Sequence, residues 1–167
     1  ELEYIENREL SALKEADLSL PAALREGFPL KDHQRKGVRW LQTNYLLNRS
    51  GCLLADDMGL GKTLQVLTFL AWLIERGGIS QEGADNDNAP WNPILIVAPV
   101  MLLENEIWIN DMKTFFKDEG AIFTPYITLH GERLKAFRKG GVTGRETELE
   151  TSVLDLDKLR SYRVILT

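Results

Sequence analysis

Residues 56–63, Asp-Asp-Met-Gly-Leu-Gly-Lys-Thr, constrain the fold of this chain more than any other feature. A short apolar run at residues 51–55 precedes them and predicts a buried strand, while the apolar stretch at residues 64–74 is long enough for a helix. A strand, a glycine-rich loop ending in Gly-Lys-Thr, and a helix follow one another in a phosphate-binding loop. There, backbone N–H groups converge on a phosphate beside the positive end of the helix dipole.

The residue types within the loop indicate individual roles. Lys62 is expected to place a point charge on the β- and γ-phosphates, and the Thr63 hydroxyl to bind Mg²⁺, so both count as catalytic. The strict pattern has glycine where Asp56 stands, and the alternative is a Gly-Lys-Thr tripeptide in an ordinary turn. The flanking strand and helix favour nucleotide binding. The predicted nucleotide-binding residues of the loop are Asp56, Asp57, Met58, Gly59, Leu60, Gly61, Lys62 and Thr63.

With Asp56 in place of the first glycine, residues 56–63 resemble the first helicase motif of the Swi/Snf-type ATPases, within helicase superfamily two. Residues 28–41, Phe-Pro-Leu-Lys-Asp-His-Gln-Arg-Lys-Gly-Val-Arg-Trp-Leu, resemble the entry segment of the same family. Residues 93–99, followed by two leucines, are similar to its next motif, whose loop touches a nucleic-acid strand. By this resemblance, Gln34 recognises the adenine of ATP.

The resemblance spans residues 28–167 and implies a three-layer RecA-like α/β fold with a mainly parallel sheet, incomplete at its C-terminus. Residues 28–167 would form part of the N-terminal, ATP-binding lobe, preceded by a helical extension over residues 1–27. The whole protein would use ATP and Mg²⁺ to translocate on duplex DNA, held between two lobes, and to remodel protein–DNA complexes. Two alternatives stay open: a strand-separating DNA or RNA helicase, and a nucleotide-binding domain that has lost catalysis.

Strands alternating with helices independently predict a parallel α/β sheet. Asp32 is predicted to cap a helix over residues 33–48. A second helix is predicted over residues 100–117, with core candidates Leu103, Ile107, Met112 and Phe115. Strands are predicted at residues 94–97, 126–129 and 162–167. Residues 77–92 are rich in Gly, Asp and Asn and predict a mobile surface loop.

Composition excludes several classes of protein. The net charge of −5 gives no electrostatic footprint for nucleic acid. The single cysteine, Cys52, lies in the predicted strand and is expected to be buried and inert, and no disulfide within the chain is possible. The chain has no run of about 18 apolar residues, so no membrane span is predicted, and its acidic start does not resemble a signal peptide. We expect a cytoplasmic or nuclear protein without a histidine-based metal site.

ATP hydrolysis in this superfamily also needs an acidic motif that closes a strand. The only apolar run followed by acids, residues 153–157, has the spacing of an amphipathic helix. The chain starts without methionine and ends in an apolar run, so we expect a piece of a longer protein. Because the glycine-rich loop is present and the acidic motif is not, we expect this piece to bind phosphate but barely to hydrolyse ATP. Five basic residues could contact nucleic-acid phosphates, but a solvated helix face followed by a glycine-rich loop is the preferred interpretation of Arg133, Lys135, Arg138, Lys139 and Arg145.

Overall fold

The computed structural model describes residues 18–78, 91–138 and 154–167. Outside these ranges lie residues 1–17 of the predicted helical extension, residues 79–90 of the predicted loop, and Lys139 and Arg145. The described elements, in chain order, are α1 (Asp32–Leu46), α2 (Lys62–Glu75), β1 (Ile94–Ile96), α3 (Val100–Glu104), α4 (Ile107–Phe115), a 3₁₀ segment (Lys117–Phe123), β2 (Tyr126–Thr128), α5 (Glu132–Lys135), α6 (Leu156–Leu159) and β3 (Val164–Leu166).

The three strands form one parallel sheet in the order β1-β3-β2. Val164 of the central strand pairs with Ile94 on one side and with Tyr126 on the other. All three residues of β3 are buried, as expected for a parallel strand covered on both faces. The predicted α/β class with a parallel sheet is therefore confirmed.

The main core lies between helix α2, helix α4, the 3₁₀ segment and the sheet. Its fully or almost fully buried residues are Leu67, Ala71, Ile96, Leu103, Met112, Phe116, Phe123, Val164 and Leu166. A smaller cluster, Leu129, Leu159 and Ile165, joins helix α6 to the sheet. Of residues 153–157, predicted to be helical, only Leu156 and Asp157 lie in helix α6; Asp155 is its N-cap, Leu154 forms an isolated bridge with Arg138, and residue 153 lies outside the described ranges. Among the described residues, no helix is long and apolar enough to cross a membrane.

The prediction of a single helix over residues 100–117 is wrong, because the helical structure is interrupted between α3 and α4. Glu106 adopts the left-handed conformation, with φ 52°, and resets the helical register. Leu103 and Met112 are buried as predicted, but Ile107 is 39% exposed and Ile109 is buried in the core. No glycine or proline marks this break in the sequence, so the apolar periodicity alone suggested one continuous helix.

The strand predicted at residues 51–55 is absent, and the segment has no regular structure. Leu53 is 82% exposed, and Cys52 is exposed with a free thiol, so the expectation of a buried cysteine is also wrong. A strand needs a neighbour for its N–H and C=O groups, and the described part of the chain gives this segment none. Lys31 rather than Asp32 is the N-cap of α1, and Asp32 lies in its first turn.

The described part of the predicted N-terminal extension packs against the rest of the chain. Leu24 forms an isolated antiparallel bridge with Phe116, and the guanidinium of Arg25 donates to the carbonyl oxygens of Lys113 and Phe116, each at 3.1 Å. The carboxylate of Glu75, at the end of α2, accepts from two successive backbone N–H groups, those of Ala22 and Ala23. The division at residues 27 and 28 stays a prediction.

Candidate phosphate-binding loop

Two glycines shape the loop ahead of helix α2. Gly59 has φ 82° and Gly61 has φ 78°, a region that residues with a Cβ avoid. Gly61 is the N-cap of α2, and a Cβ there would lie 2.4 Å from Nε2 of Gln34. At Gly59 a Cβ would meet no atom within 4 Å, so open space lies above the loop. The first helical bond runs from Gln65 N–H to the Gly61 carbonyl oxygen, which leaves the preceding first-turn N–H groups without acceptors in the helix.

Lys62 extends back across the loop from the first turn of α2. Its ammonium donates to the carbonyl oxygen of Asp56 at 2.5 Å and to that of Asp57 at 2.9 Å. An ammonium has three donors, and these two bonds use two of them. The positive charge of Lys62, a residue of the first turn of the helix, therefore lies at the beginning of the loop, against the carbonyl oxygens of Asp56 and Asp57.

Gln34 joins helix α1 to the far end of the loop. Its Oε1 accepts from the N–H of Lys31 at 3.0 Å, and its Nε2 donates to the carbonyl oxygen of Leu60 at 3.3 Å. The ring nitrogen Nε2 of His33 lies 3.1 Å from the same oxygen and donates to it in the tautomer that is protonated there. Gln34 is 8% exposed, and its buried amide stabilises the loop through the bond to the Leu60 carbonyl oxygen. Its adenine-recognising role stays a prediction.

The other predicted loop residues differ in exposure. Met58 is 96% exposed and Asp57 is exposed, whereas Asp56 and Thr63 are half-buried. A cavity of about 480 Å³ borders the loop and includes Asp56 and Leu60 in its lining. Its other lining residues are His33, Lys36, Gly37, Trp40, Leu53, Leu54 and Ala55. The geometry thus brings Asp56, Leu60 and Lys62 together with Gln34 of α1.

Sequence reasoning missed Gln65. This residue lies in the first turns of α2, is completely buried, and donates from Nε2 to Oδ2 of Asp56 at 3.2 Å. On its other side it meets Gly37 of α1, where a Cβ would lie only 1.8 Å from Oε1 of Gln65. The sequence feature that could have identified Gln65 is the presence of a polar residue within a largely apolar helix.

Of the predicted basic cluster after β2, Arg133 borders a second cavity, of about 390 Å³, whose lining does not include Lys135 or Arg138. Its lining is mixed in charge: His130 and Arg133 lie with three glutamates, Glu104, Glu106 and Glu132. The ammonium of Lys135 lies 2.6 Å from Oε1 of Glu132, in a pair that is exposed on both sides. Within the described ranges, no three His, Cys, Asp or Glu side chains converge on a metal site.

The parallel sheet and the helices that pack on it define an α/β domain, in which a glycine-rich loop opens helix α2. A sequence profile of the SNF2-related domain matches residues 33–166, and the chain belongs to that family. The resemblance to the Swi/Snf-type ATPases is therefore confirmed.

Several characterised proteins are similar to this chain. Zorya protein ZorD of Escherichia coli O139:H28 is 46% identical over 143 residues, which are 83% of this chain and 12% of that protein. The ATP-dependent helicase FUN30 of Saccharomyces cerevisiae is 40% identical over 95 residues, 57% of this chain and 7% of that protein. The chromatin-remodeling ATPase INO80 of Arabidopsis thaliana is 40% identical over 89 residues, 53% of this chain and 5% of that protein. The chain thus spans a small part of the length of each of these relatives.

Proposed function

We propose that this chain is the ATP-binding part of the N-terminal, RecA-like lobe of a Swi/Snf-like DNA-dependent ATPase. The observation that carries this proposal is the position of the Lys62 ammonium. Lys62 is the first residue of a 14-residue helix, and its ammonium reaches back to the carbonyl oxygens of Asp56 and Asp57, across the loop that contains Gly59 and Gly61. Backbone N–H groups, a helix dipole and a cation then act together on one anion, which is the arrangement that binds the phosphates of a nucleotide.

The residues of the loop fit a magnesium-bound nucleotide. Open space above Gly59 leaves room for the phosphates, and the donors around the loop suit an anion. Thr63 would hold Mg²⁺ through its hydroxyl, and the bound ion would neutralise charge that develops on the phosphates. Lys62 would exchange its bonds to the Asp56 and Asp57 carbonyls for bonds to phosphate oxygens. Gln34 would recognise adenine from α1, next to Leu60.

The names of the relatives support the wider function. One is an ATP-dependent helicase and another a chromatin-remodeling ATPase. We infer that the whole protein uses ATP hydrolysis to move along duplex DNA and to remodel protein–DNA complexes, and that it works where DNA is, in the cytoplasm or the nucleus. The duplex would bind across two lobes, of which this chain forms part of one.

Binding of a fluorescent N-methylanthraniloyl-ATP with Mg²⁺ to the full-length protein tests the proposal, together with ATPase assays with and without duplex DNA. Lys62→Ala should abolish hydrolysis and weaken nucleotide binding by at least tenfold, since a charge-assisted contact to phosphate is lost. Lys113→Ala removes an exposed lysine on α4 and is the matched control. Equal nucleotide affinity in the two variants, or ATPase activity that duplex DNA does not stimulate, would contradict the proposal.

A further inference from the structure

We propose that Gln65 is a positioning residue for nucleotide binding: through Asp56 it fixes the beginning of the phosphate-binding loop. This inference rests on the proposed function of the loop and assigns a role to a side chain outside the glycine-rich motif. Gln65 is completely buried, and its Nε2 donates to Oδ2 of Asp56 at 3.2 Å.

The surroundings of Gln65 make this bond more than a packing contact. Its Oε1 is buried and has no hydrogen-bond partner among the described residues. A buried amide oxygen without a partner is unfavourable, so an apolar side chain of the same length would pack at lower cost here. The bond from Nε2 to Asp56 is therefore the favourable contribution that a glutamine makes at this position.

Asp56 is held at two atoms, and only one of these bonds survives nucleotide binding. Its carbonyl oxygen accepts from the Lys62 ammonium, and its carboxylate accepts from Gln65. When Lys62 turns to a phosphate, it gives up the carbonyl oxygen. The bond from Gln65 does not involve that ammonium, so it continues to fix Asp56 to helix α2 in the bound state.

Two buried glutamines thus hold opposite ends of one loop. Gln34 of α1 holds the carbonyl oxygen of Leu60, and Gln65 of α2 holds the carboxylate of Asp56. A loop fixed at both ends loses less conformational freedom when it closes around phosphates, and affinity rises accordingly. Release of the Asp56 end should weaken nucleotide binding without removing any group that contacts the nucleotide.

The test compares Gln65→Met with Gln42→Met in the full-length protein. Gln42 is also a buried glutamine on a helix, its Oε1 likewise lacks a partner in the described residues, and its Nε2 donates to the carbonyl oxygen of Ser19, away from the loop. Both variants receive N-methylanthraniloyl-ADP with Mg²⁺, and thermal unfolding is measured in parallel. Gln65→Met should weaken nucleotide affinity by about tenfold, with unfolding temperature unchanged or raised. Gln42→Met should leave the affinity unchanged.

Asp56→Ala supplies the second arm, because it removes the acceptor from a half-buried loop position. It should weaken binding to a similar extent, and the double variant with Gln65→Met should be no weaker than either single variant. Additive losses, or equal effects of Gln65→Met and Gln42→Met, would overturn the positioning role. If Lys62→Ala weakens binding and Gln65→Met does not, this inference fails and the proposed function stands. If Lys62→Ala has no effect, the proposed function itself fails.

Discussion

Oε1 of Gln65 lies beside Gly37 so closely that a Cβ on that glycine would be 1.8 Å from it. Helices α1 and α2 therefore meet at a position where one helix contributes no side chain and the other contributes a buried amide. Since that amide also holds Asp56, the contact between the two helices is connected to the phosphate-binding loop.

Gly37→Ala should therefore destabilise the protein, although alanine normally favours a helix. The added methyl group must displace the buried Gln65, and overpacking of this kind costs about 1–3 kcal/mol. Denaturation in urea measures the loss. In a Gln65→Ala background the obstruction is gone, and the same substitution should instead stabilise by about 0.5–1 kcal/mol. The same sign in both backgrounds would show that the two residues do not interact.

The sequence predicted the elements whose residues are strongly apolar and whose ends are marked. Helix α2 and the strands β1, β2 and β3 are all found close to their predicted bounds. The contact between Gly37 and Gln65 joins residues of two different helices, and no local pattern encodes it. The prediction of a strand at residues 51–55 was wrong for a related reason, because a strand forms only where a neighbouring strand is present.

Parts of the candidate site were predictable to different degrees. Lys62 and the glycines lie together because one local motif fixes their spacing. The bonds of the Lys62 ammonium to the Asp56 and Asp57 carbonyls depend on the conformation of the turn, which residue types alone do not determine. The interruption between α3 and α4 at Glu106 could not be predicted either, since glutamate gives no signal for a left-handed conformation.

Glu106 offers a test of backbone strain between α3 and α4. Glu106→Gly should stabilise the protein by about 0.5–1 kcal/mol, because glycine adopts the observed φ of 52° without a Cβ penalty. Glu104→Gly, two residues earlier at the last residue of α3, should destabilise the protein, because glycine is a poorer helix former than glutamate. Urea midpoints of the two variants measure both effects. A loss of stability in Glu106→Gly would mean that its side chain contributes more than its conformation costs.

Gly120 combines a left-handed conformation with a close backbone contact. Its φ is 78°, and a Cβ would lie 2.9 Å from the carbonyl oxygen of Met112 in the core. Gly77 has a similar φ of 72°, but a Cβ there would meet no atom within 4 Å. Gly77→Ala should thus cost only the conformational penalty of about 1–2 kcal/mol, and Gly120→Ala about 1–3 kcal/mol more. Thermal unfolding of both variants gives the difference, and equal losses would contradict the contact.

Glu75 tests how firmly the segment before α1 is attached to the rest of the chain. Its carboxylate accepts from the N–H groups of Ala22 and Ala23, at 2.9 and 2.8 Å. Glu75→Ala should speed hydrogen exchange at both amides and lower stability by about 1 kcal/mol, while Glu75→Gln should fall between wild type and alanine. Unchanged exchange in Glu75→Ala would indicate that the bridge between Leu24 and Phe116 is sufficient to hold the segment.

DNA binding by this 167-residue chain alone depends on the charges around its basic segment. The chain carries a net charge of −5, and Arg133 borders a cavity that also includes Glu104, Glu106 and Glu132. These carboxylates oppose DNA phosphates, so binding should be weak, with a salt slope no steeper than about −2, equivalent to roughly two neutralised phosphates.

Fluorescence anisotropy of a labelled duplex at several salt concentrations measures this slope. The combined change Glu104→Gln and Glu106→Gln should strengthen binding, since it removes two negative charges beside Arg133. Replacement of Arg133, Lys135, Arg138 and Lys139 by alanine should have little effect on the wild-type chain. Tight binding with a steep slope that the four alanines abolish would show instead that this basic segment contacts DNA directly.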